Sequence, residues 1–189
     1  MTPEALLGGF RDAPIQTARA FRAALEAMAR PGTIWSVEGA SPPAPMSIAA
    51  GVLILTLCDG TTPVYLGPSL DLPLIQDWIT FHTGAPLVTA EQARFALGTW
   101  ADLRPVNRFA IGSPDYPDRS ATLIVEMPEL GATGAILSGP GIKDKTSLSL
   151  PETATFRANR TLFPQGFDTY LTCDTRLAGL PRSTIVEAA

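Results

Sequence analysis

Between Thr17 and Arg30 apolar residues return every three or four positions. Ala18, Phe21, Leu25 and Met28 form one stripe, and Arg19, Arg22, Glu26 and Arg30 fall opposite, so the spacing predicts a helix. Glu26 stands four residues from both Arg22 and Arg30, at ion-pair spacing on a helix. Pro31-Gly32 ends it, and a short strand is expected over 33–37, followed by a Pro-rich loop over 39–45. The apolar run 47–58 reads as a buried helix stopped at Asp59-Gly60, although periodicity alone does not exclude a strand, and 63–66 reads as a strand. Asp71 is placed to cap a helix reaching His82, with Gly84 just beyond, and Thr89 and Gln92 are spaced as a capping box. Strands are expected over 94–98, 120–127, 134–138, 168–173 and 184–187, and helices over 99–104 and 151–163.

Helices and strands mixed along the whole length predict an α/β fold built on a central mixed sheet. With 189 residues the chain is long enough for one well-filled core, read as a single domain over 1–189. Its 46% hydrophobic and 17% charged residues place it among folded globular proteins. A net charge of −4 argues against nucleic-acid binding. The first residues, MTPEALLGGFRDAP, lack the basic start and apolar core of a secretory signal, and the most apolar run is too short to span a bilayer. Cys58 and Cys173 stand far apart in apolar company, as two buried reduced thiols would. A cytoplasmic chain without a membrane span is the expectation.

The most suggestive local chemistry is LSGPGI at 137–142, with Lys143 and Lys145 directly behind it. A phosphate-binding P-loop needs lysine after its second glycine, but Pro140 follows Gly139 and also removes an amide donor. A dinucleotide turn needs a third glycine where Asp144 stands, and no helical period follows it. The stretch therefore reads as a strand end and a tight turn. Lys143 and Lys145, the only lysines, lie in a polar stretch poorly suited to a pyridoxal-phosphate Schiff base. His82, the single histidine, shares a stripe with Leu72, Ile75 and Ile79, and no G-x-S-x-G elbow accompanies it, so a half-buried structural role is expected. One histidine and two isolated cysteines provide no metal-ligand cluster. Arginine makes up all the remaining basic residues and suits oxyanions, which singles out Arg119, Arg157, Arg160 and Arg182. The candidate oxyanion contacts are Arg119, Ser138 and Gly141.

Seven blocks then line up in order: FRAALEAMARPGTI (21–34), LTLCDGTTPVYL (55–66), ITFHTGAP (79–86), PDRSATLI (117–124), LSGPGI (137–142), NRTLFPQGFDTYLT (159–172) and LPRSTIVE (180–187). Over about residues 14–187 they resemble PhnH, the H subunit of the bacterial carbon–phosphorus lyase system. One departure falls at Cys58-Asp59-Gly60-Thr61, where an acidic residue is expected after the aspartate. The resemblance implies a three-layer sandwich with a central mixed β-sheet flanked by helices, like the pyridoxal-phosphate-dependent transferase fold without its cofactor site. It implies a homodimer, a core complex with the G, I and J subunits, and no cofactor. Its implied role is in attaching an alkylphosphonate to the ribose C1 of ATP with release of adenine, and no catalytic residue comes with it.

Two classes of function follow. In one, the chain is an accessory subunit, because no set of residues able to do chemistry alone is found; the Pro-rich loop at 41–45 and the apolar residues around Phe163 and Phe167 are candidate interface material. In the other, it is an autonomous transferase that binds a phosphonate or nucleotide through its arginines and the 137–142 loop.

Overall fold

The alternation of buried residues along the strands divides the core in two. Leu97, Ile124, Tyr170 and Leu177 face one side of the main sheet, and Ala96, Leu123, Val125, Leu171, Ala178 and Leu180 face the other. A computed structural model describes residues 6–188, so the first five residues of the N-terminal stretch read above lie outside the described residues. Its elements in chain order are α1 (Ala13–Ala29), β1 (Ile34–Ser36), α2 (Ile48–Leu57), β2 (Val64–Leu66), α3 (Pro73–Thr83), β3 (Phe95–Thr99), α4 (Trp100–Leu103), β4 (Thr122–Glu126), β5 (Ala135–Ser138), β6 (Thr146–Leu148), α5 (Ala154–Thr161), β7 (Asp168–Cys173), β8 (Arg176–Leu180) and β9 (Ile185–Glu187).

The fold is α/β around a mixed six-stranded sheet of order β1-β8-β7-β4-β3-β2. β2, β3, β4 and β7 run parallel, while the β7–β8 hairpin and β1 add antiparallel pairs at one side. Helices α1, α2 and α3 cover one face. The other face is covered by the small antiparallel sheet β6-β5-β9 together with α4 and α5, so the second flanking layer is only partly helical. None of the described helices is long and apolar enough to cross a membrane.

Helix α1 has its stripe turned the other way from a simple amphipathic helix. The buried positions are Ala20, Ala23, Ala24 and Ala27, whereas Phe21 and Leu25 are more than half exposed. The cause is how close the helix lies to the sheet. A Cβ on Gly179 of β8 would stand 2.6 Å from the Ala27 carbonyl group and 2.7 Å from the Met28 nitrogen. At that approach only methyl side chains fit between helix and strand, and the larger apolar residues have no room on the inner face. Tyr170 of β7 adds a tie by donating its hydroxyl to the Ala24 carbonyl at 3.2 Å. Burial, reinforced by Asp168, pushes that phenol up to about 12. The LSGPGI turn holds the far end: Gly141 has φ +80°, and a Cβ there would run into the Ala29 carbonyl oxygen.

Other local expectations also change. Strands β6 and β8 are additional, and both are too short or too small-residued (TSL, RLAGL) to announce themselves by alternation. Asp71 does not cap α3, whose N-cap is Leu72; its carboxylate accepts from the Gln76 amide at 2.6 Å instead. Thr89 makes no cap hydrogen bond, but Thr99 and Asp102 form a full capping box at α4. Glu26 closes on Arg30 at 3.2 Å. Both cysteines are free and buried, as expected, and Cys58 is pushed up to about 12 by burial, then by Asp59. Phe167 is buried in the core, leaving Leu162 and Phe163, 43% and 52% exposed, as surface material.

If the Gly179 contact sets the seating of α1, Gly179→Val lowers unfolding stability in urea by about 2–3 kcal/mol through overpacking. Gly131→Ala is the control, since the nearest atom to its added Cβ is the Thr133 hydroxyl at 3.6 Å. It is expected to stay within about 0.5 kcal/mol of the parent. Equal effects at the two sites would remove the claim.

Candidate functional site

Parallel strands leave their carboxyl ends at one edge of a sheet, where ligand clefts in α/β proteins form. Here β3, β4 and β7 end at Thr99, Glu126 and Cys173, and these three residues line a cleft of about 950 Å³. The start of α2 (Met46, Ser47), the Pro-rich loop (Pro42, Ala44, Pro45), Trp100 and the segment 149–151 complete the walls. Pro42, Ala44 and Pro45 of the Pro-rich loop thus form part of the cleft wall.

The cleft is acidic and apolar. Glu126, Glu129 and Asp174 contribute carboxyls, and none of the described lining residues is basic. Glu126 is fixed from two sides: one carboxyl oxygen accepts the Ser47 amide at 2.7 Å, and the other accepts the Thr172 hydroxyl at 3.0 Å. Burial pushes its carboxyl above the ordinary range; the bonds from Ser47 and Thr172 offset part of this, and Asp174 adds to it. Asp174, φ +52°, holds the turn between β7 and β8, and its carbonyl accepts the Ala49 amide in the first turn of α2 at 2.8 Å. Trp100 stacks on Phe156 with ring centroids 5.0 Å apart. Beside the cleft, Asp102 accepts the Thr99 hydroxyl at 2.7 Å and the Ser69 hydroxyl, strapping the exit of β2 to that of β3. Burial pushes the Asp102 carboxyl up, but these hydrogen bonds prevail and hold it below the usual range. No group of three or more His, Cys, Asp or Glu able to hold a metal occurs among the described residues.

Of the arginines singled out from sequence, Arg182 and Arg119 lie at the opposite end of the sheet. Arg182 is fully occupied: it grips Asp168 at 3.1 and 2.5 Å, donates to the Pro117 carbonyl at 2.8 Å, and reaches the Ser120 hydroxyl at 2.5 Å. Arg119 is exposed and lies over the Tyr116 ring at 4.1 Å; Arg160 lies over Phe163 at 5.0 Å. Arg157 is exposed on α5. Ser138 closes β5 and pairs with Ile185, and Gly139 behind it faces Ser183 and Thr184. Pro117, two residues before Arg119, accepts from Arg182, and Ser138 pairs with Ile185, three residues after Arg182, while Gly141 turns away to α1. His82 takes its structural place, 3.3 Å from the Leu7 carbonyl and against the Trp78 and Phe81 rings.

Glu126, Asp174 and Trp100 carry no sequence motif. The readable signals were positional: strand ends, and the Thr-Trp-Ala-Asp box that marks where β3 turns into α4.

Comparison with known proteins gives one family. The model of the bacterial phosphonate metabolism protein PhnH matches residues 8–187. The alpha-D-ribose 1-methylphosphonate 5-triphosphate synthase subunit PhnH of Rhizobium meliloti (strain 1021) is 40% identical, over 95% of this chain and 94% of its own length.

The raised Glu126 carboxyl has a definite pH signature. The folded state holds this proton more tightly than the unfolded chain, so its contribution favours folding at low pH. That contribution is lost as pH rises from the unfolded value of about 4.3 through the folded one. Glu126→Gln removes the titration. The variant is expected to gain stability on the parent as urea unfolding is repeated from pH 4 to pH 8. A stability difference independent of pH would contradict this.

Proposed function

The chain belongs to the PhnH family of bacterial phosphonate metabolism proteins, and from that premise we propose that it is an accessory subunit of a ribose 1-methylphosphonate 5-triphosphate synthase. In this role it supports transfer of an alkylphosphonate to the ribose C1 of ATP, with release of adenine, inside a cytoplasmic carbon–phosphorus lyase complex with G, I and J subunits. The observation that carries the reading is the end-to-end likeness to the Rhizobium subunit.

The distribution of charge supports an accessory role over an independent one. A triphosphate or phosphonate needs converging cations. The largest cleft offers carboxyls instead, and Arg182 is already committed to Asp168. The family's likeness to pyridoxal-phosphate-dependent transferases, with the cofactor site gone, fits the mixed sheet. It also fits the positions of Lys143 and Lys145, which are exposed, with Lys145 paired to Glu187 at 2.8 Å. Self-association as a homodimer in the absence of the other subunits belongs to the same reading.

The alternative is an autonomous phosphonate- or nucleotide-binding transferase using Arg119, Ser138 and Gly141. Its support is that Arg119 and Ser138 each stand within two residues of a contact made by the 182–185 segment.

Purified chain incubated with ATP and methylphosphonate is expected to release no adenine until the other subunits are added. Adenine release by the chain alone, abolished in Arg119→Ala/Ser138→Ala, would replace the accessory reading with the alternative. Growth on methylphosphonate after deletion of this chain would exclude both.

A further inference from the structure

The outward stripe of α1 is not accounted for by the fold. Ile15, Phe21 and Leu25 are 51%, 51% and 55% exposed on a helix whose inner face is already filled by alanines. Pro14, Ala18, Phe21 and Leu25 recur at three- and four-residue spacing, so they form one continuous strip along the helix. Arg11 and Arg22 flank the strip, and both are exposed. Arg19 lies further round the helix and borders a groove of about 420 Å³ between α1 and the open edge at β1, which Gln16, Ala23, Val37 and the carboxylate of Glu38 also line. Arg19 and Arg22 form no ion pair among the described residues, in contrast to Arg30, which is held by Glu26. The outward face of α1, apolar and flanked by three exposed arginines, stands out on a chain whose net charge is −4, with Glu38 as the acidic residue across the groove.

We propose that this face of α1 docks an acidic segment of another subunit of the synthase. The segment's apolar side chains cover Phe21 and Leu25, and its carboxylates meet Arg11, Arg19 and Arg22. The inference rests on the reading of the chain as a subunit and goes beyond it by assigning the surface and the partner's chemistry. Charge complementarity selects this occupant. A second copy of the chain would have to present its own arginine-flanked helix in a two-fold contact, which sets like charges against each other. Aromatic and arginine side chains together are what interface centres use as anchors.

The test uses the full-length chain and the purified remaining subunits. Wild type, Phe21→Glu/Leu25→Glu and Arg19→Glu/Arg22→Glu are compared for uptake into the complex, with affinity and association rate measured at low and high salt. The first variant is expected to lose about 100-fold in affinity while its unfolding midpoint stays near that of wild type, because both side chains are exposed. The second is expected to associate about tenfold more slowly at low salt and to lose most of its salt dependence. Uptake of both variants equal to wild type overturns the proposal and leaves the subunit reading intact. Failure of wild type itself to enter the complex removes both. Two further results overturn it in favour of another occupant: wild type dimerises and Phe21→Glu/Leu25→Glu is monomeric yet enters the complex normally, or wild type alone binds phosphatidylglycerol vesicles through this face while assembly is unaffected.

Discussion

The approach of α1 to β8 is the contact on which the rest of this structure turns. Gly179 lets the helix backbone come to the strand at a distance where only alanine methyl groups fit, and Ala20, Ala23, Ala24 and Ala27 fill that seam. Tyr170 fastens the middle of the helix through the Ala24 carbonyl, and Gly141 receives its end at Ala29. A helix held so tightly buries little area per residue, so its stability comes from closeness of packing rather than from large side chains. The larger apolar residues are displaced to the outside by the same geometry that holds the helix in place.

The two ends of the main sheet differ in chemistry. At the carboxyl ends of the parallel strands the cleft gathers Glu126, Glu129 and Asp174 around apolar walls, and Glu126 ties β4 and β7 to the start of α2. At the amino ends Arg182 binds Asp168, Pro117 and Ser120 into one clamp between β8 and the turn before β4. Arg182, which looks available in the sequence, is therefore spent on joining elements. Such a partition suits a subunit that supplies surfaces to a larger assembly, because neither end gathers the cations a phosphonate or triphosphate would need.

Much of the architecture was legible because it rests on long-range pattern. The helices near 17–30, 47–58 and 71–82 and the strands near 94–98, 120–127 and 168–173 all recur within a few residues of their expected bounds. What escaped was set by tertiary proximity. The stripe Ala18-Phe21-Leu25 obeys helical spacing equally well facing in or out, and only Gly179, some 150 residues away in sequence, decides which. Strand β8, with its Ala178-Gly179 pair, has the weak strand propensity that close helix packing demands, so it hid for the same reason. The cleft was invisible because its residues are single positions at strand ends, brought together by the parallel order of β3, β4 and β7. LSGPGI was legible as a turn, but its reason was not: Gly141 is needed where the chain meets the end of α1.

The most direct test of this account is a structure of the assembled synthase containing this chain, with the solvent exposure of Phe21 and Leu25 read from it. The account predicts that α1 keeps its close seat on Gly179 and that both side chains are covered by an acidic segment of another subunit. It is contradicted if the helix rotates to turn Phe21 and Leu25 inward, or if both remain in solvent in the complete complex.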